Sequence, residues 1–472
     1  MKRNAEKRLG KWLKSIRRKP MVIRGARQVG KSTLVRQFAR GNDLTLHEIN
    51  LERHPKLTDV FASHDTRRIL NELEYICQKG PINKMGGMLF LDEIQSVPIA
   101  IQTLRYFYED CPELPVIAAG SLLEFSLSKH SYSMPVGRIE YLFLGPVTFK
   151  ETISALNEKD LLNLLAGYFL PDIFPMAAHE RLLEILRIYF LTGGMPEAVQ
   201  VYIETHDLSK VFDVHASIID TYRDDFTKYA TQADLLRLHR VFDYIPVSVG
   251  DRIKYVRIDP HEQARDLRNS LDLLARAQVI MKAYHTDASG IPVRASIDQR
   301  KFKTYFMNCG LMNSMCGIQW ISPDDLKTND FVNKGRVAEQ FIAQHIAFSG
   351  KSNRSPYLTY WLREGRSSNA EIDFILQMGQ SIVPVEVTAG KSGSLKSLLQ
   401  FAHHKQIPAA VRFDLNVPTL QNVKHSIRQA SDTVEVFFDL LSLPLYMAEE
   451  VERIFNGYSD MKAGDDKRDA NP

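Results

Sequence analysis

The chain has 472 residues, a formal net charge of +4, 44% hydrophobic and 25% charged residues. That length exceeds one ordinary domain of about 100–200 residues, the composition allows large soluble cores, and so mild a basic excess permits nucleic-acid contact without arguing for it. The four cysteines, Cys77, Cys111, Cys309 and Cys316, lack C-x-x-C spacing, which excludes a disulfide frame or a cysteine zinc site and reads as thiols of a reducing compartment.

Residues 4–17 have helical spacing, with Leu9, Trp12, Leu13 and Ile16 on one face, and Pro20 stops the pattern. The basic N-terminus lacks the apolar stretch of a secretory signal, and no apolar run approaches the roughly 18–20 residues of a membrane span. A cytoplasmic protein with no membrane span is the expectation. Met21-Val22-Ile23 then enters a glycine turn, and a helical pattern carrying Leu34, Val35 and Phe38 follows. Strand-like runs recur at 46–50, 88–91, 115–119 and 139–144, with helical stretches around 66–79 and 98–110 between them. Such alternation predicts a parallel sheet with helices on its faces. Residues 148–235 read as mostly helical, broken by Pro171, Pro175 and the turn at Gly193-Gly194-Met195-Pro196. A helix over 261–276 and short strands at 278–284 and 301–307 suggest a winged-helix-like module. Farther on come a helix at 335–348, strands near 356–361, 371–377 and 382–388, and a helix at 394–404. Residues 457–472 are polar and read as a disordered tail.

The glycine turn is a complete G-x-x-x-x-G-K-S match: Gly25, Ala26, Arg27, Gln28, Val29, Gly30, Lys31 and Ser32, followed by Thr33. Glycines let the backbone curl so that its N–H groups point at phosphate oxygens, and the following helix adds its positive end. Lys31 is expected to reach the β- and γ-phosphates of ATP, with the Ser32 hydroxyl on Mg2+. Four apolar residues before Asp92 and Glu93 describe a buried strand that delivers two carboxylates at its end. Asp92 is expected to hold Mg2+ through its hydration shell, and Glu93 to polarise the attacking water. Ser121, ending another apolar run, reads as a γ-phosphate sensor, a helix N-cap, or both. Arg138 reads either as a cation for transition-state charge, in cis or on a neighbouring subunit, or as an ordinary surface arginine.

These residues resemble the AAA-type P-loop ATPases of bacteria and archaea that carry a C-terminal domain of unknown function. The resemblance rests on Arg27-Gln28 inside the loop, Leu91-Asp92-Glu93-Ile94-Gln95, Gly120-Ser121, Gly137-Arg138, and Leu144-Gly145-Pro146 with Phe149 and Glu151. It continues through Gly193-Gly194-Met195-Pro196-Glu197, Lys303-x-Tyr305 before Gly310-Leu311, and Glu371-Ile372-Asp373-Phe374. Many relatives have an aspartate where this chain has Asn308. The implied fold class is α/β: an AAA-like P-loop NTPase parallel-sheet domain over 1–147, a helical region over 148–235 and a winged-helix-like module over 236–330. A restriction-endonuclease-like α/β domain over 331–456 and a tail over 457–472 complete it. Relatives of this type often assemble into rings, which makes a homo-oligomer one expectation.

Glu339 on a helix, Asp373 on a strand and Glu386 on the next strand follow the order of the PD-(D/E)xK nuclease fold, where such acids bind Mg2+. The lysine of that pattern is replaced by Thr388, and Lys391 lies three residues on. Three readings stand: a second Mg2+ site that cleaves, a degenerate nuclease fold kept for binding, or solvated acids with no metal. Arg363 and Arg366 suit phosphate contact, Tyr357, Tyr360 and Trp361 suit stacking on bases or, more often, the sheet core, and Arg265, Arg268 and Arg276 are interrupted by Asp266 and Asp272. Two functions follow. One is Mg-dependent ATP hydrolysis driving a shape change in a DNA-associated process. The other is an ATP-dependent switch that docks a protein partner through a non-cleaving nuclease fold.

Overall fold

Strands β1 (Met21–Arg24), β3 (Gly87–Asp92) and β4 (Val116–Ala119) are buried almost throughout. Continuous apolar runs of this kind fit strands covered on both faces of a parallel sheet. With β2 (Thr45–Asn50) and β5 (Glu140–Phe143) they form an all-parallel sheet of order β2–β3–β4–β1–β5. The computed structural model describes residues 1–120, 134–135, 137–229, 231–318, 334–348, 354–364, 370–390, 395–429 and 432–469. Helices Lys31–Gly41, Thr66–Cys77 and Ile99–Asp110 fall where the sequence puts them. The first helix, Ala5–Leu13, buries Leu9 and Trp12. Ile16, expected on the same face, lies beyond the helix end and is exposed.

The helical region comprises Phe149–Ala155, Lys159–Gly167, Met176–Thr192, Pro196–Thr205 and Leu208–Tyr229. Helix Phe149–Ala155 starts from a capping box, with Thr148 and Glu151 satisfying each other's backbone N–H. Helix Gln232–Val247 follows, then helix Ala264–Arg276, which buries Leu267, Leu271 and Leu274. The antiparallel pair β6 (Ile280–Thr286) and β7 (Ile297–Phe306) comes next, as a helix-then-hairpin unit.

That hairpin does not stop at the expected boundary near residue 330. β6 also pairs in parallel with β8 (Leu358–Arg363), which takes β9 (Ala370–Ile372) on its other side. A single four-stranded sheet, β7–β6–β8–β9, therefore spans both units. At Asp373 the chain leaves this sheet for a second one, β10–β11–β12–β14–β13. Its strands are β10 (Phe374–Met378), β11 (Ser381–Val387), β12 (Ala409–Asp414), β13 (Thr419–Gln429) and β14 (Asp432–Pro444). The expected single strand at 371–377 is thus two strands in two sheets.

The expected disordered tail is corrected over 457–469, which belong to helix Val451–Asp469. Ile454, Phe455 and Tyr458 are buried, the Tyr458 hydroxyl donates to Asp439 Oδ2 at 2.7 Å, and Lys462 Nζ lies 2.9 Å from the same oxygen. Its polar residues hide this helix from a reading by apolar content, although Met461 also packs against the core. Among the described residues no helix is long and apolar enough to cross a membrane.

Candidate nucleotide site and a carboxylate cluster

The loop after β1 and the end of β3 meet at the carboxyl edge of the first sheet, with β4 between the two strands. That edge is where ligands sit in open α/β sheets. Two left-handed residues shape the loop, Gln28 (φ 61°) and Gly30 (φ 90°). Gly25 is required by close approach: a Cβ there would lie 2.3 Å from the Leu144 carbonyl oxygen.

Lys31 is buried, and its Nζ donates to the carbonyls of Gly25 (3.1 Å) and Ala26 (2.8 Å). Burial lowers its pKa to about 8, against the raising influence of Glu93 and Asp92. Ser32 Oγ donates to Asp92 Oδ2 at 2.7 Å. Burial raises the Asp92 pKa, and the Ser32 bond works the other way. Glu93 sits in the left-handed region (φ 50°), so the chain turns sharply as β3 ends. Gln95 Nε2 donates to Glu93 Oε2 at 2.5 Å and fixes where that carboxylate points.

Lys31, Ser32, Asp92 and Glu93 are therefore brought together. Thr33 is exposed on the helix. Arg27 turns out of the loop and pairs with the buried Asp225 of helix Leu208–Tyr229 at 2.5 Å. Tyr222 on the same helix donates its hydroxyl to the Arg27 carbonyl at 2.9 Å. Arg3 fastens the other side. Its guanidinium donates to Val29 O (2.9 Å), Gly145 O (2.8 Å), Pro146 O (3.1 Å) and Glu151 Oε2 (2.9 Å). Ser121 lies outside the described residues, as do Arg366 and Lys391. Arg138 precedes β5 at the amino edge of the sheet, opposite the loop, and its Nε donates to Glu109 Oε1 at 3.0 Å. The reading of Arg138 as a cation for its own chain's loop is thereby corrected: the parallel register puts it at the wrong end of the strand.

The C-terminal acids also converge, around an ammonium group. Lys303 on β7 is buried, and its Nζ contacts Glu371 Oε1, lies 3.3 Å from Glu339 Oε1 and 3.8 Å from Asp373 Oδ1. Burial alone would lower its pKa, but Glu339, Asp373 and Glu371 together hold it raised. The Tyr305 hydroxyl donates to Glu339 Oε1 at 2.6 Å, and Val387 N–H donates to Asp373 Oδ2 at 2.8 Å. Burial, then Glu339, push the Asp373 carboxyl up to about 7, and burial with Asp373 beside it pushes Glu386 well above the carboxylate range.

Among the described residues no group of three or more His, Cys, Asp or Glu is placed to hold a metal ion. Of the acids expected at a second Mg2+ site, Glu339 and Asp373 lie beside the Lys303 ammonium, and Glu386 lies beside Asp373. Thr388 turns its hydroxyl to the Phe413 carbonyl at 3.2 Å. Sequence reasoning quoted Lys303 and Tyr305 without a role. Their i, i+2 spacing, which puts both on one face of a strand, was the available signal. Nothing in the linear sequence marks Arg3, Tyr222 or Asp225, whose partners lie far along the chain.

Residues 17–153 match the family described as AAA domain. Residues 183–322 and 334–429 match two families described as domains of unknown function, DUF8612 and DUF4143 respectively. No curated protein matches the chain. Among solved structures it is similar to PCH-2 of C. elegans at 13% identity and TM-score 0.24, over 43% of this chain and 59% of that one. It is also similar to the Aeropyrum pernix ORC2 protein in its ADP form at 12% identity and TM-score 0.29, over 67% of this chain and 94% of that one. The chain thus spans 59% of the first of these structures. The AAA match covers the P-loop and the parallel sheet that carries it, and it supports a nucleotide-binding P-loop domain in the N-terminal part of this chain.

Proposed function

We propose that Mg-dependent ATP hydrolysis at this site drives a conformational change that serves a nucleic-acid-associated process. The observation that carries the reading is the Ser32–Asp92 contact at 2.7 Å beside Lys31, at the ligand-binding edge of the sheet. A serine hydroxyl and a buried carboxylate are oxygen donors of the kind hard Mg2+ takes, so the residues fit the ion, which supplies charge neutralisation for the phosphates when bound. Lys31 exchanges its two carbonyl partners for phosphate oxygens. Glu93, aimed by Gln95, orients the attacking water and accepts its proton. Arg27 and Tyr222 tie the loop to helix Leu208–Tyr229, so rearrangement of the loop on phosphate binding pulls on the helical region. Cytoplasmic location belongs to the same proposal.

For the C-terminal unit the favoured role is binding without cleavage. Lys303 ion-pairs with acids that a nuclease would present to a metal, and this supports the non-cleaving, regulatory version of the function.

The test compares wild type with Lys31→Ala, Glu93→Gln and Asp373→Ala. Glu93→Gln is expected to keep nucleotide binding and to lose roughly 10²–10⁴-fold in hydrolysis. Asp373→Ala is expected to leave hydrolysis intact and to reveal no DNA cleavage to lose. Unchanged hydrolysis in Glu93→Gln rejects its assignment, and metal-dependent cleavage that vanishes with Asp373→Ala rejects the non-cleaving role.

A further inference from the structure

A cleft of about 490 Å3 opens between helix Ala264–Arg276, the β6–β7 hairpin and the segment entering β8. Arg268, Asp272 and Arg276 line it from one helix face, at i, i+4 and i+8, and Lys282 and Tyr284 line it from β6. The one acid of this helix face is already engaged, because Lys282 Nζ donates to Asp272 Oδ1. Arg268 and Arg276 are exposed, and among the described residues neither has a carboxylate at ion-pair distance. The cleft therefore carries two uncommitted guanidinium groups. They stand roughly two helical turns apart, about 12 Å along the axis. Such a separation suits two phosphates of one chain, not directly adjacent, better than one isolated phosphate.

The aromatic wall is committed as well. Tyr284 and Tyr357 stack with centroids 6.0 Å apart and planes 26° from parallel, and the Arg294 guanidinium sits 3.7 Å from the Tyr357 ring. Arg294 and Tyr284 thus both pack against the Tyr357 ring. The Tyr357 hydroxyl is buried without a hydrogen-bond partner among the described residues. Guanidinium cations recognise backbone phosphates, which carry no sequence information. A volume in the range of small-ligand sites admits a short stretch of one strand, not a duplex.

We propose that this cleft binds the phosphodiester backbone of a single-stranded nucleic acid, with Arg268 and Arg276 on phosphates. The proposal rests on the nucleic-acid reading above and gives it a place. It makes binding indifferent to base identity.

The test is fluorescence anisotropy of the full chain with labelled oligodeoxythymidine, oligouridine and an abasic deoxyribose-phosphate oligomer, each across a salt series. Polyglutamate serves as a competitor. Wild type is expected to bind the abasic oligomer as well as oligodeoxythymidine, and the deoxy and ribo arms tell which nucleic acid is preferred. The double variant Arg268→Ala/Arg276→Ala is expected to bind at least tenfold more weakly. Its log–log salt slope should be shallower by about 1.4, for two single-strand phosphates. Arg268→Lys/Arg276→Lys should restore the slope, while Arg67→Ala, an exposed arginine in another domain, should change nothing. Wild-type ATP hydrolysis in the double variant shows that the fold is kept. If the wild type binds and the double variant binds equally, the cleft is rejected while the nucleic-acid reading stands. If the wild type binds no oligomer, both fall. If polyglutamate displaces the strand as well as unlabelled oligomer does, the assignment to phosphodiesters is overturned.

Discussion

Two buried lysines, Lys31 and Lys303, answer the same physical problem in opposite ways. Lys31 donates to two backbone carbonyls, and burial depresses its pKa to about 8. Lys303 stands among Glu339, Glu371 and Asp373, and those carboxylates hold its pKa raised despite complete burial. An ammonium whose direct hydrogen-bond partners are neutral dipoles, with Glu93 and Asp92 acting only from a distance, gains from an anionic ligand. An ammonium wrapped in carboxylates has its counter-charges inside the protein and stabilises the fold instead. The contrast teaches that lysine burial alone does not mark a ligand site, and that the charge of the partners decides.

Lys303→Met is the most severe way to break this comparison. Removing one partner of a buried ionic cluster costs about 3–5 kcal/mol, and urea denaturation should register that loss. A variant as stable as wild type would show that the acids discharge themselves by protonation. Lys31→Met should behave in the reverse manner: little change in the urea midpoint, but nucleotide binding weaker by about 1.5–3 kcal/mol in titrations with a fluorescent non-hydrolysable analogue. Asp225→Asn sharpens the picture beyond the loop. It removes the charge that Arg27 meets, for a cost of about 1.5 kcal/mol. Hydrogen exchange in helix Leu208–Tyr229 should then cease to respond to ATP, and an undiminished response would separate that helix from the loop.

The smallest effect is a pH dependence. Lys31 in the free protein loses its proton through about pH 8, whereas bound phosphates keep it charged. Affinity should therefore be complete below that value and fall up to about tenfold per unit above it, about 1.4 kcal/mol each. The same titration in Lys31→Met should be flat. The sign for folding is opposite. A lysine whose folded-state pKa lies below its unfolded value destabilises the protein at neutral pH, and the penalty is relieved as pH rises from about 8 toward 10.5.

Most of the ATPase sheet was legible because its signals are local. β1, β3 and β4 are uninterrupted apolar runs, and the loop and the two carboxylates follow them directly. The C-terminal half was legible only in part. β13, TLQNVKHSIRQ, carries no clean alternation, and β9 and β10 read as one strand because Asp373 leaves no gap in the apolar pattern. The Mg2+ expectation for Glu339, Asp373 and Glu386 identified the right acids and missed the lysine among them, which arrives from a strand some seventy residues before Asp373. Arg138 illustrates the same limit: its neighbours in sequence do not say which edge of the sheet it occupies, and the register with β1 does.

The sheet β7–β6–β8–β9 has a practical corollary for anyone wishing to dissect this molecule. A fragment ending at residue 318 would present one flank of β6 with its N–H and C=O groups unanswered, where β8 now lies. An open flank of that kind invites pairing with any strand that passes, including a second copy of itself. Division of labour along this chain therefore need not follow lines along which it can be cut.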